Sequence, residues 1–282
     1  LISGAILLIA GGVAGVSIMY AQRQATELPE NNLAAYLAAG PSVDDRPIIV
    51  FAGDSLTLGT VSASYLDILA ARPGMDSYYF INAGDNSRLA YNIVLELDEI
   101  IACKPDIVSV LIGTNDVNSL MSPESQQRFI EDWNLPQVPD AEWFRENLTQ
   151  IAKSLTSLEN TRVAFLSLPT VGEDPDHPAF AMGRKYSGII REIAEEFGIV
   201  YLPLHETMEE YLKTNPGSTK HDFSKKRSLM MKNVLSRYIF KRSFDTIAEK
   251  NGFSIHADHL HLSEAGAAMV ADLLEPFILA DR

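Results

Sequence analysis

At 282 residues, with 37 acidic against 23 basic side chains and a net charge of −14, the chain is too negative for nucleic acid to be its main partner. Its single cysteine, Cys103, excludes an internal disulfide and a cysteine-rich metal site, and at the end of a helical run it reads as a small buried residue. The length suits one α/β domain with insertions behind a leading apolar segment.

Leu1–Tyr20 carry no charge and consist mainly of Ile, Leu, Val, Ala and Gly. Twenty helical residues rise about 30 Å, the thickness of a bilayer's hydrocarbon core. Residues 1–22 are therefore expected to form an N-terminal transmembrane helix. A cleaved signal peptide is the rival reading, but its apolar region is shorter. Arg23 alone flanks the segment and would keep the following domain cytoplasmic. A signal-anchor with basic residues upstream gives the opposite, and the expected placement is extracytoplasmic. Gly4, Gly11 and Gly15 share one helix face. Small residues let membrane helices approach closely, so a helix partner competes with the ordinary glycine content of a lone span.

Residues 23–46 read as a polar linker with Pro29, Asn31, Asn32, Gly40 and Pro41, interrupted by one helical piece at Leu33–Ala39. Pro47–Ala52 is a continuous apolar run, the mark of a strand buried on both faces. Leu58–Ala71 is helical in pattern, Tyr78–Ala83 a second strand, Leu89–Ala102 a second helix and Asp106–Ile112 a third strand. Ala141–Leu158 is a helix, Arg162–Leu168 a strand, Ala179–Phe197 a helix and Ile199–Leu204 a fifth strand. Ser263–Leu279 closes the chain as a helix capped by Ser263, with Glu264 in its first turn. This alternation predicts an α/β domain over residues 47–282, with a doubly wound parallel sheet of about five strands. Two stretches, 117–139 and 205–253, do not fit and are expected as insertions, the first as a long loop.

Sites in such sheets form at the carboxyl ends of the strands. Ser55 in Gly53-Asp54-Ser55-Leu56, Gly84 in Asn82-Ala83-Gly84 and Asn115 in Gly113-Thr114-Asn115-Asp116 each stand just past a predicted strand. Late in the chain, Asp258-His259-Leu260-His261 supplies an acid with a histidine three residues on. A Ser-His-Asp site needs these groups: the histidine removes the serine proton and the carboxylate fixes its tautomer. Taken singly, Ser55 could cap a helix, Gly84 could serve a turn and Asn115 could stabilise its own loop. Among three neighbouring histidines only His261 follows an acid by three, and His256 and His259 read as surface or supporting groups. A three-histidine metal site is the weaker alternative, because no regular ligand spacing accompanies it. Asp54 and Asp116 are expected to hydrogen-bond their loops.

The four motifs, in this order, resemble the SGNH (GDSL-type) hydrolase family over roughly Pro47 to the C-terminus, outside the two insertions. The resemblance implies a flavodoxin-like three-layer α/β/α fold and hydrolysis of esters or thioesters through an acyl-serine, with no cofactor or metal. By motif, Ser55 is the nucleophile and Asp258 and His261 its acid and base. The oxyanion donors are the backbone amides of Ser55 and Gly84 and the side-chain amide of Asn115. No Gly-x-Ser-x-Gly surrounds Ser55, which disfavours the larger α/β-hydrolase family.

Lys213–Arg242 carries nine basic residues and one acid, Asp222, against the charge of the rest of the chain. Met231, Val234, Leu235 and Tyr238 share one face of a helix there. It reads as a solvated cap or as a lid on an anionic membrane surface. Asn147-Leu148-Thr149 matches a glycosylation sequon inside a predicted helix. The expected function is a membrane-anchored serine esterase acting on a lipid acyl ester or on an O-acetyl group of a glycan. The rival is a structural or assembly subunit of a membrane complex that retains a hydrolase fold.

Overall fold

Apolar runs of Val, Ile, Phe and Ala cannot sit at a wet surface, and here they pair with one another. The computed structural model describes residues 15–40 and 45–280. In it β1 (Ile48–Gly53), β2 (Tyr79–Gly84), β3 (Ile107–Leu111), β4 (Arg162–Leu166) and β5 (Val200–Leu202) form one sheet in the order β2-β1-β3-β4-β5. Every pairing is parallel. Side chains alternate across a strand. Val50 and Ala52 therefore join Val108, Val110 and Phe165 in one core, and Ile49 and Phe51 join Ile107, Leu111 and Leu166 in the other.

Helices Ala90–Leu95, Leu97–Ala102, Ala141–Thr156 and Pro178–Phe197 cover the first face. Tyr65–Ala70, Leu204–Thr214 and Glu264–Leu279 cover the second, completing the three-layer α/β/α architecture. β1 lies between β2 and β3, so the chain reverses its direction of sheet growth beside β1. That is where doubly wound sheets open a crevice. Gly53 is in register with both Gly84 and Leu111, so β1, β2 and β3 end level and their following loops emerge together.

The structure divides two predicted helices. Leu58–Ala71 is a short helix, Ser55–Leu58, stopped by Gly59 at φ 79°, and a second, Tyr65–Ala70. Leu89–Ala102 breaks at Glu96 into two. The stretch 117–139 is not a loop. It holds the helix Pro123–Trp133, whose start is signalled by Ser122 as cap and Pro123 in the first turn. The other insertion contains the helices Lys226–Tyr238 and Phe244–Asn251. Ser263 caps the last helix as expected, accepting from the Gly266 N–H. Asn147 of the sequon is buried, and its amide donates to the Trp143 carbonyl.

The expected transmembrane helix over 1–22 falls mostly on residues 1–14, which lie outside the described residues, as do Gly4 and Gly11. Among the described residues no helix is long and apolar enough to cross a membrane. Residues 15–26 are helical. Ala21 and Ala25 are buried against Val61 and Val234, because their small side chains let the two segments approach. Gly15 meets nothing within 4 Å of a Cβ position. At the end of the segment, Ala21 thus packs on the domain. The stretch expected as a linker also lies on the sheet edge. Asn82 donates its N–H to the Asn31 carbonyl at 3.0 Å, and Tyr36 packs on Tyr79 with ring centroids 5.4 Å apart.

Candidate active site

Gly53 ends β1 because nothing larger fits: a Cβ there would meet Thr57 Oγ1 at 2.1 Å and the Leu111 carbonyl at 2.6 Å. The chain turns at once into the helix Ser55–Leu58, with Asp54 as its cap accepting from the Leu56 N–H at 2.9 Å. Ser55 is thus the first helical residue and does not cap. Its Oγ lies 3.2 Å from His261 Nε2. His261 Nδ1 in turn lies 3.0 Å from Asp258 Oδ2. Asp258 also accepts the N–H groups of Leu260 and His261 at 2.8 and 2.9 Å, which folds the loop back on its own carboxylate. The sequence separation of 206 residues between Ser55 and His261 is closed by the sheet and the last helix.

All three groups are buried. Burial alone would push the Asp258 carboxyl up, but the His261 charge and hydrogen bond, with the loop N–H groups, hold it below the usual carboxylate range. Burial would push His261 down, yet Asp258 outweighs it and, with Asp54, raises the imidazole above its ordinary value. A hydroxyl, an imidazole and a carboxylate so joined can pass a proton from serine to histidine.

A cavity of about 390 Å³ opens on this chain of groups, with Ser55, Asn115, Asp258 and His261 among its walls. Asn115 is the second residue of the helix Thr114–Ser119 after β3 and donates its amide to the Arg88 carbonyl at 3.0 Å and to Asp54 Oδ2 at 3.3 Å. Gly84 departs from expectation. Its N–H is taken by Asn82 Oδ1 at 2.9 Å, and it is not among the cavity's lining residues. A Cβ at Gly84 would meet the Leu58 nitrogen at 2.3 Å, so this glycine lets β2 pass under the Ser55 helix. Asn86 and Ser87 of the same loop do line the cavity, and Ser87 sits at φ 63°. The left-handed conformation is uncommon for a residue with a Cβ and often marks a functional turn.

The sequence model of the GDSL-like lipase/acylhydrolase family matches residues 51–269. The chain belongs to this family. No curated protein matches the hydrolase significantly in sequence. Its fold is similar to that of the acetyl xylan esterase AlAXEase, at 20% identity and a TM-score of 0.60, covering 82% of this chain and 100% of that one. It is also similar to Axe2, an acetylxylan esterase from Geobacillus stearothermophilus, at 16% identity and a TM-score of 0.56, covering 83% and 95%. A catalytic mutant of Axe2 aligns over the same shares, at 16% identity and a TM-score of 0.60. The chain is a serine esterase of the SGNH type.

Neither His256 nor His259 of the hydrolase is at the surface. His256 bridges Glu173 Oε1 at 3.1 Å and the Thr170 carbonyl at 2.9 Å. His259 reaches the His221 carbonyl at 3.0 Å, and its ring packs on Phe223 and Phe253. Among the described residues no three His, Cys, Asp or Glu side chains group as a metal site. Glu173 escaped the sequence reading, since it stands with Asp174 and Asp176 in a loop after β4 and nothing local sets it apart. It is buried and accepts the N–H groups of Ser254, Ile255 and His256. Burial favours its neutral form, but His256 and these N–H groups outweigh that and keep its pKa low. It fixes the start of the loop that carries Asp258 and His261.

Asp54 and Asp116 are more than loop ligands. Burial pushes each up to about 7. Asp116 accepts the Ala90 N–H at 3.1 Å and feels the Asp54 charge, which raises it further. Its folded pKa exceeds the ordinary value near 4. The stability it contributes is therefore complete below about pH 4 and lost as pH rises through about 7. Asp116→Asn keeps an acceptor for Ala90 and removes the charge. Relative to wild type it is expected to be near neutral at pH 4 and stabilising at pH 8 by on the order of a few kcal/mol, or several °C in Tm. Thermal unfolding at both pH values checks this, and an equal offset at the two would contradict it.

Proposed function

We propose that this esterase hydrolyses carboxylic esters through an acyl-serine on Ser55. The observation that carries this is the continuous run from Ser55 Oγ through His261 to Asp258, opening on one cavity. Ser55 Oγ attacks the ester carbonyl carbon as His261 Nε2 takes its proton. The carbonyl oxygen becomes an oxyanion facing the N–H groups of Ser55 and Ser87 and the Asn115 amide, whose longer bond to Asp54 is the one the oxyanion competes for. Collapse of the intermediate breaks the carbonyl–alkoxy bond, and His261 returns the proton to the leaving alcohol. Water, deprotonated by His261, then attacks the acyl-serine and releases the acid.

The preferred substrate is a lipid-like acyl ester, because Phe129, Met230, Met231 and Val234 line the cavity and leave room for an acyl chain. A second reading, an O-acetyl group on a glycan, is favoured by the fold's likeness to acetyl xylan esterases. The membrane anchor and the extracytoplasmic placement are part of this proposal and rest on the uncharged run of residues 1–20.

A fluorophosphonate is expected to form one covalent adduct, mapped by mass spectrometry to the peptide holding Ser55. p-Nitrophenyl esters from acetyl to dodecanoyl are expected to show kcat/KM rising with chain length before it falls. A maximum at acetyl selects the glycan reading. Absence of both adduct and turnover selects the structural-subunit reading instead.

A further inference from the structure

The two insertions, which the minimal fold does not need, build one wall of the cavity together. Arg128 and Phe129 come from the helix Pro123–Trp133. Lys226, Arg227, Met230, Met231 and Val234 come from the helix Lys226–Tyr238. Spaced by three and four, these five fall on one helix face. Along it the cations stand at the N-terminal end, and Val234, about 12 Å further on, reaches the apolar cluster with Ala25 and Val61. The wall is therefore cationic at one end and apolar at the other.

The protein sets one acid near the cationic end, Asp132, whose charge reaches Arg128 but forms no ion pair with it. None of Arg128, Lys226 and Arg227 makes an ion pair or a hydrogen bond among the described residues. Arg128 lies over the Phe129 ring at 4.5 Å and Lys226 over the Phe223 ring at 4.5 Å. Arg128 and Lys226 are half-buried, and each is disfavoured as a cation first by burial and then by another member of the trio. Asp258, the carboxylate lining the cavity, is committed to His261. Lys226 and Arg227 also occupy the first two positions of their helix, which has no acid in its first turn and no side-chain cap, so its dipole opposes them. Arg227 is exposed, but holding Arg128 and Lys226 half-buried without an ion pair is costly unless an anion meets them.

We infer that Arg128, Lys226 and Arg227 hold a phosphate on the alcohol half of the substrate, while the apolar end takes the acyl chain. Lys and Arg together suit a phosphate, whose oxygens accept several charge-assisted hydrogen bonds at once. The substrate class is an acyl ester of a phosphorylated alcohol. This assignment rests on the esterase reading of Ser55.

The test compares hexanoyl-glycerol with hexanoyl-glycerol 3-phosphate, each as monomers in low salt. Wild-type kcat/KM is expected to favour the phosphate ester by roughly 10²-fold, the scale of one or two charge-assisted contacts. The preference should shrink as salt rises. In the triple variant Arg128→Gln, Lys226→Gln, Arg227→Gln the ratio is expected to fall to near one. Because the readout is a ratio, a general loss of activity cancels. The charge-conserving pair Arg128→Lys, Arg227→Lys should keep most of the preference, which covers the case in which the triple variant does not fold. Palmitoyl esters of the same two alcohols in neutral vesicles tell whether the phosphate is taken at a lipid surface or from solution, and a preference in either arm supports the assignment. Equal turnover of charged and neutral esters by the wild type, or a preference that survives in the triple variant, overturns it. If neither ester is turned over and Ser55 takes no phosphonate, the esterase reading itself has failed.

Discussion

Ser55→Ala is expected to remove ester turnover, lowering kcat by about 10⁴–10⁶-fold, the range seen when a triad nucleophile is deleted. The side chain makes one hydrogen bond, to His261 Nε2 at 3.2 Å, so its removal strips a single contact from a buried site. That costs about 0.5–1.5 kcal/mol, far less than a domain's stability. Asp54 still caps the short helix, since its carboxylate takes the Leu56 N–H and not a group on Ser55. The folded variant should therefore unfold cooperatively within a few °C of wild type and leave p-nitrophenyl hexanoate intact. Turnover persisting in Ser55→Ala would place the nucleophile elsewhere.

Asp258→Asn is expected to lower kcat by about 10⁴-fold with little change in fold, following the behaviour of the equivalent substitution in serine proteases. The asparagine oxygen can still accept from the Leu260 and His261 N–H groups, so the loop stays closed. Its amide nitrogen, however, can only donate to His261 Nδ1. The imidazole is then driven to the tautomer with hydrogen on Nε2, which cannot take the Ser55 proton. The pH profile carries a second signature. His261 must be neutral to act as a base, and Asp258 raises it above the ordinary histidine value of 6.5. Wild-type kcat/KM should thus fall as pH drops through a point above 6.5. In Asp258→Asn the attraction is gone and burial remains, so the acid limb of the residual activity should move to lower pH. A limb that stays in place would mean that Asp258 does not set the state of His261.

The strand positions, the closing helix with its Ser263 cap and the Ser55, Asn115, Asp258 and His261 constellation were legible along the chain. Each rests on a local signal: an apolar run, a capping residue, or a polar motif just past a strand. Local signals also existed at Ser122-Pro123 and at Ser243, where helices begin inside the two insertions. What adjacency in sequence could not reveal is which N–H groups face the cavity. Gly84 stands in the motif, but Asn82 bends back to take its N–H, and Asn86 and Ser87 line the cavity instead. Glu173 lies 83 residues from His256, and its role exists because β4 delivers its loop beneath the His261 turn. The same holds for Ala21 and Ala25, whose small side chains bury against Val61 and Val234. By itself the sequence determined the sheet and the meeting of Ser55, His261 and Asp258, since those follow from periodicity and from polar motifs at strand ends. Only the tertiary structure decided which loop residues line the cavity, the support of the histidine loop and the cationic wall, because each depends on distant segments meeting at one strand edge.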